Sequence, residues 1–109
     1  MLEKDIENKL KKFFKENQIW FLKIHGNSFQ TSGVPDLLVC FCGYFIAIEV
    51  KRYPNTLSTL QKTHIIEQLH NGGIVIVVDQ YNVNELLNNW NLTSINEIAK
   101  KSLDKYLKF

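Results

Sequence analysis

Residues 33–51 read GVPDLLVCFCGYFIAIEVK, and the fold of the chain turns on how this stretch is divided. Two apolar runs, Asp36–Phe41 and Phe45–Lys51, flank Cys42-Gly43. Glycine in the second place of a two-residue loop is the mark of a tight hairpin turn, whose left-handed backbone only small or special residues adopt cheaply. With the turn centred there, opposed residue numbers sum to 85, so Phe41 faces Tyr44 and Asp36 faces Glu49. Directly opposed side chains share a face of the sheet, with Cβ atoms about 4.5–5.5 Å apart. Alternation puts Lys51 on that face too, along with Leu38, Cys40, Phe45 and Ala47. Two carboxylates and one ammonium therefore converge at one end of an otherwise apolar face. A pair of acids fraying at a sheet edge, with Lys51 neutralising one, is the plainer alternative. Ile46 to Val50 is too apolar for an exposed edge.

Outward from the hairpin, residues 2–16 read as an amphipathic helix with Leu2, Ile6, Leu10, Phe13 and Phe14 on one stripe. At 100° per residue Glu3 falls inside that stripe, Glu7 at its margin and Glu16 on the far side. A buried acid is costly unless paired or bound to a cation, so Glu3 is a candidate third carboxylate. A first-turn Glu favoured by the helix dipole is the competing explanation. Ile19 to Ile24 reads as a strand, and His25 to Gly33 as a polar loop. Ser58, followed three residues later by Gln61, is a capping-box signature that opens a helix, and Gly72-Gly73 ends it. Ile74–Val78 is unbroken β-branched sequence, as expected of a parallel strand buried on both faces. Residues 82–90 and 94–107 read as two closing helices. The predicted order is αβββαβαα around a mixed sheet, an α/β (α+β) class, in one domain over residues 1–109.

Composition narrows the function. The chain has 109 residues, 45% apolar and 22% charged, with no apolar run near the roughly 20 residues that cross a bilayer and no signal peptide. A cytoplasmic protein without a membrane partner is expected. Thirteen basic residues face eleven acids, and setting Glu3, Asp36 and Glu49 aside leaves 13 against eight. A positive surface around a small acidic cluster suits a metal-dependent enzyme acting on a polyanion. Cys40 and Cys42 are too close to bridge along a strand and have no partners for a zinc pattern, so both read as buried thiols. Two or three carboxylates with open positions describe a magnesium site, because that ion keeps several waters and needs few protein oxygens. Such an ion polarises a phosphoryl oxygen and lowers the pKa of a bound water. No Ser/Cys–His pairing for acyl transfer is legible.

These residues resemble a known family. Gly33-Val34-Pro35-Asp36, then Glu49-Val50-Lys51 after a twelve-residue gap, look like the PD-(D/E)xK nuclease signature. Glu3 with Ile6, Lys23-Ile24-His25-Gly26-Asn27, the IAIEVK run, Leu57 to Gln61 and Gly72-Gly73 together resemble its VRR-NUC branch, the virus-type replication and repair nuclease domain, over about residues 3–80. The resemblance implies a restriction-endonuclease-like αβββαβ core with extra C-terminal helices. It implies that Asp36, Glu49 and the Val50 carbonyl bind a catalytic Mg²⁺, for which Mn²⁺ is a substitute, with Glu3 as an outer or direct ligand. Lys51 would be the catalytic lysine, and Gln61 matches a glutamine beside the site, although its capping-box place also accounts for it.

The expected activity is hydrolysis of DNA phosphodiesters by a divalent-metal-dependent endonuclease. Stand-alone relatives are associated with four-way (Holliday) junctions, which suggests a homodimer acting on branched DNA. The Leu57 loop and the Asn-rich final helices are the candidate interfaces. Lys23, His25, Asn27, Ser28 and Gln30 precede the site and are candidate DNA contacts, or simply a solvated loop. His64 and His70 read as helix-surface residues, and Trp20 and Trp90 as core or interface anchors. The alternative function is a non-catalytic DNA-binding module on the same fold, which predicts metal-independent binding and a lost site residue. RNA-directed hydrolysis lacks an aromatic signature to support it.

Overall fold

The structure, a computed structural model, describes residues 1–25 and 32–108. Its order is α1 (Glu3–Glu16), β1 (Trp20–Lys23), β2 (Leu37–Phe41), β3 (Tyr44–Val50), α2 (Thr59–His70), β4 (Ile74–Val78), α3 (Val83–Asn88) and α4 (Leu92–Tyr106). This is the predicted αβββαβαα sequence of elements. The four strands lie in the order β1-β2-β3-β4, the first two pairings antiparallel and β3–β4 parallel. Asp36 and Lys51 stand just beyond the strand ends where the sequence placed them inside.

The hairpin register is the predicted one, with Leu37 opposite Ile48 and Phe41 opposite Tyr44. Cys42 and Gly43 both have positive φ, 52° and 80°, the backbone of a two-residue turn that follows the strand twist. Both strands of this hairpin are interior to the sheet, which disposes of the frayed-edge reading of Asp36 and Glu49.

Alternation along the strands divides the core. On one face Leu37, Val39, Ile46, Ile48 and Val50 pack with Ile6, Leu10 and Phe14 of α1. Phe13, Phe14, Phe21, Phe41 and Trp90 extend this layer as edge-on and tilted rings, 5.0–6.1 Å between centroids. On the other face Ala47, Val75 and Val77 pack with Leu57, Ile65 and Tyr106. Helix α4 serves both layers, Ile95, Ile98 and Ala99 joining the first and Tyr106 the second. It also closes the β4 edge: the Val77 N–H donates to Ser102 Oγ at 3.0 Å, while Asn82 Nδ2 donates to the Val77 carbonyl at 2.9 Å. An edge strand so covered offers no ladder to a stray chain.

Two expectations need correction. Cys40 and Cys42 are exposed, not buried. Cys40 sits between Trp20 and Phe45 in the cross-strand register, on the part of the second face that α2 does not cover. Trp20 and Leu22 are accordingly 58% and 50% exposed, so only Trp90 anchors the core. Leu57 itself is buried in the second layer, within a loop whose residues 52–56 are exposed. Among the described residues no helix is long and apolar enough to cross a membrane.

Candidate active site

The two acids of the hairpin meet at the end of the sheet. Asp36 follows the buried Pro35 and lies just ahead of β2; its N–H donates to the Ile48 carbonyl at 3.0 Å, which continues the ladder one residue past the strand. Its Oδ2 accepts the Val50 N–H at 2.7 Å. Glu49 is 3% exposed and faces α2, where Gln61 Nε2 donates to its Oε1 at 2.9 Å. Burial pushes the Glu49 carboxyl up to about 9, and the Asp36 carboxylate, hydrogen-bonded to it, pushes the same way against the pull of Lys51. Burial also raises Asp36, opposed by the Val50 N–H and the Lys23 ammonium. Burial and the neighbouring like charge thus work against ionisation of both acids together, as expected of like charges in a shared dry site unless a cation separates them.

Gln61 performs both tasks left open by the sequence. As the third residue of α2 its Oε1 accepts the Ser58 N–H at 2.8 Å, while Ser58 Oγ accepts the Gln61 N–H at 3.1 Å, a complete capping box. Its amide nitrogen is left for Glu49. The helix start is pinned from the other side by Gly33, whose φ is +85°. A Cβ there would lie 2.7 Å from the Leu60 backbone carbon and 2.9 Å from the Gln61 nitrogen. The glycine of the GVPD run is thus what lets this loop lie flat on the first turn of α2.

Glu3 is placed differently from its expectation. It is exposed, on the first turn of α1, and α1 packs on the face carrying Ile48 and Val50, whereas Glu49 points to the opposite face. Its charge still reaches the site, since it contributes to raising Glu49. Among the described residues no three His, Cys, Asp or Glu side chains form a ready cation cage. The acid of α1 that is engaged is Glu7: Lys23 Nζ lies 2.6 Å from Glu7 Oε1 and 3.8 Å from Asp36 Oδ1. Burial opposes ionisation of Glu7, but Lys23 and Lys11 outweigh it and hold its pKa below the usual value. Lys23, a candidate DNA contact, is half-buried and pairs with these two acids. His25 is exposed; Asn27, Ser28 and Gln30 lie outside the described residues.

A second polar centre was missed by sequence reasoning. Asp79, directly after β4, is 0% exposed. Its Oδ2 accepts from Lys105 Nζ and Tyr106 Oη, both at 2.7 Å, and its Oδ1 from the Tyr81 and Asn82 N–H groups at 2.9 and 3.1 Å. Burial opposes its ionisation, yet these donors hold the carboxyl below its ordinary range. Lys105 also lies 4.1 Å from the centre of the Tyr53 ring. An acid closing a wholly β-branched run, with Asn three residues on, was the available signal.

A solved structure described as a VRR_NUC domain shares this fold, with a TM-score of 0.67 and 23% identity over 82% of this chain and 97% of that one. The chain has the fold of a VRR-NUC domain, a mixed four-stranded sheet with flanking helices consistent with the restriction-endonuclease-like class expected from residues 33–51. No family model and no curated protein matches the chain.

Proposed function

We propose that the chain is a divalent-metal-dependent endonuclease that hydrolyses DNA phosphodiesters. The observation that carries this reading is the meeting of Asp36 and Glu49 at one sheet end, one oxygen of Asp36 held by the Val50 N–H and one of Glu49 by Gln61, with Lys51 close enough to act on their charge. The donor set fits magnesium: two carboxylates and the Val50 carbonyl suffice for an ion that keeps several waters, and Glu3, whose charge acts on Glu49, would hold one of them. Bound there, the ion would supply charge neutralisation and a water of lowered pKa. The chain's own residues do the rest. The Val50 N–H fixes one oxygen of Asp36, and Gln61 fixes one of Glu49, so neither carboxylate swings. Lys51 offsets negative charge developing on the phosphate oxygens.

The finer reading is selectivity for branched, junction-like DNA by a homodimer. Paired cuts in a two-fold symmetric target need two sites, which two copies supply. The decisive assay compares a labelled four-way junction, linear duplex and supercoiled plasmid in Mg²⁺, Mn²⁺ and EDTA, beside Asp36→Ala and Lys51→Ala. Paired, metal-dependent junction cuts lost in both variants are expected. Plasmid nicking alone would remove the junction preference, and DNA binding in EDTA with no cleavage under any condition would make the chain a binding module.

A further inference from the structure

Lys23 ends β1 on the face of the sheet that α1 covers: Phe21, two residues earlier, packs on the α1 layer, and alternation puts Lys23 on the same side. Its cross-strand partner is Leu37, and the Ile24 N–H donates to the Asp36 carbonyl at 3.0 Å, which brings Lys23 up against the first acid of the site. Glu7 and Lys11, one turn apart on α1, meet it there. The charges alternate in sign: Lys11 Nζ lies 3.4 Å from Glu7 Oε2, Lys23 Nζ 2.6 Å from Glu7 Oε1, and Lys23 Nζ 3.8 Å from Asp36 Oδ1.

The Lys23 ammonium is divided unequally between its two acids. To Glu7 it donates a charge-assisted hydrogen bond. From Asp36 Oδ1 it stands beyond the roughly 3.2 Å limit of an N–H···O bond, so Asp36 receives its field and no hydrogen bond. Asp36 Oδ2 is taken by the Val50 N–H at 2.7 Å, and Oδ1 is the oxygen that Lys23 faces. The three side chains are between 16% and 30% exposed, sheltered enough to escape much of the screening that weakens surface pairs. A lysine is a compact charge on a flexible four-carbon stem, and a shift of about 1 Å would close it on Oδ1. Glu7 opposes that shift. Lys23 and Lys11 keep it ionised, and the shorter of the two Lys23 contacts is its own.

We propose that Glu7 is a positioning residue: by holding the Lys23 ammonium it keeps Asp36 Oδ1 open to a divalent cation, for which a direct Lys23–Asp36 salt bridge would compete. This role rests on the nuclease reading for its metal site, but not for cleavage.

The test is calorimetric binding of Mn²⁺ to the whole chain without DNA, carried through a cycle of variants, with cleavage measured separately. Glu7→Gln should weaken Mn²⁺ binding about tenfold, the scale of removing a ligand's support. Lys23→Met should tighten binding by a factor about fivefold or more larger in the Glu7→Gln chain than in wild type, because only there has the ammonium closed on Asp36. The double variant should thereby return to within about threefold of wild-type affinity. A metal-free crystal structure of Glu7→Gln should show Lys23 Nζ within about 3 Å of Asp36 Oδ1. Loss of a remote negative charge alone would give Lys23→Met the same factor in both chains. That result overturns the role of Glu7 while leaving the nuclease standing, as does an unchanged Mn²⁺ affinity in Glu7→Gln or an unmoved Lys23 in its crystal structure. Wild-type chain that binds Mn²⁺ but never cuts DNA overturns the nuclease while the cycle still decides the role of Glu7, and a chain that takes up no Mn²⁺ overturns both.

Discussion

Gln61 donates its side-chain amide to Glu49 at 2.9 Å while its carbonyl oxygen caps the helix on which it sits. One residue therefore ties the start of α2 to the more deeply buried acid of the site. The two roles separate by mutation. Ser58→Ala removes a cap, with a loss of about 1 kcal/mol, and leaves the Glu49 contact in place. Gln61→Ala should lose similar stability and, in addition, about 10- to 100-fold in metal affinity or cleavage rate, the usual cost of freeing a ligand from its support. Thermal melts beside single-turnover rates read the two effects. Equal activity in both variants would show that Gln61 is a cap alone.

The raised pKa of Glu49 gives a pH dependence of definite sign. Glu49 has its folded-state pKa pushed up to about 9, above its ordinary 4.5. Between those values the folded chain binds more protons than the unfolded chain, so stability from this group falls as pH rises through that window. Metal-free protein should melt at progressively lower temperature from pH 5 to pH 9. Glu49→Gln should flatten that slope and gain on the order of 1–2 kcal/mol at pH 8, in line with active sites that trade stability for function. The same variant should lose cleavage by about 100-fold or more, since it removes a ligand and not merely its support.

What was legible in the sequence was whatever depends on local periodicity. The turn at Cys42-Gly43 fixed the register, and the register alone put Asp36 opposite Glu49. Helical phase placed Ile6, Leu10 and Phe14 on the buried stripe of α1, but Glu3 is exposed, and phase says nothing of which sheet face a helix covers. Because α1 docks opposite Glu49, the stripe leads Glu3 only to the sheet end, and Glu7 finds Lys23 instead. The cysteines were misjudged for a related reason. An apolar strand face predicts burial only if something covers it, and the reach of α2 is a tertiary fact. Asp79 carried a local signal in its place after β4, but its partners Lys105 and Tyr106 were beyond reach, lying 26 and 27 residues away in sequence.

That buried centre should matter for stability more than for chemistry. Asp79→Asn leaves Lys105 facing a neutral amide and would cost about 3–5 kcal/mol, the range for breaking a buried pair. Tyr106→Phe removes one hydrogen bond to a charged acceptor, about 1.5–3 kcal/mol. Since the Asp79 pKa is lowered on folding, its contribution is complete above the ordinary carboxylate range and is lost as pH falls through the folded value. Acid denaturation of Asp79→Asn should therefore be shallower than that of wild type. A variant as stable as wild type at pH 7 would mean that the network is not a keystone of the β4–α4 seam.

Gly33 and Gly43 offer a matched pair, since both have positive φ, +85° and +80°, and differ only in surroundings. Alanine at either site pays the left-handed penalty of about 1–2 kcal/mol. At Gly43 nothing lies within 4 Å of the added Cβ, so the cost should end there and cleavage should be kept. At Gly33 the Cβ would sit 2.7 Å from the Leu60 backbone carbon and 2.8 Å from the Leu60 Cβ. Neither a helix backbone nor the first atom of a side chain can yield by rotation. The loop must lift from α2, and Asp36, three residues on, moves relative to Gln61 and Glu49. Gly33→Ala should thus melt below Gly43→Ala and lose most of its cleavage, because a displacement of about 1 Å at a reacting centre costs on the order of 100-fold. Parallel melts and rates of the two variants decide it: equal losses in both would show that the Gly33–α2 contact does not set the geometry of the acids.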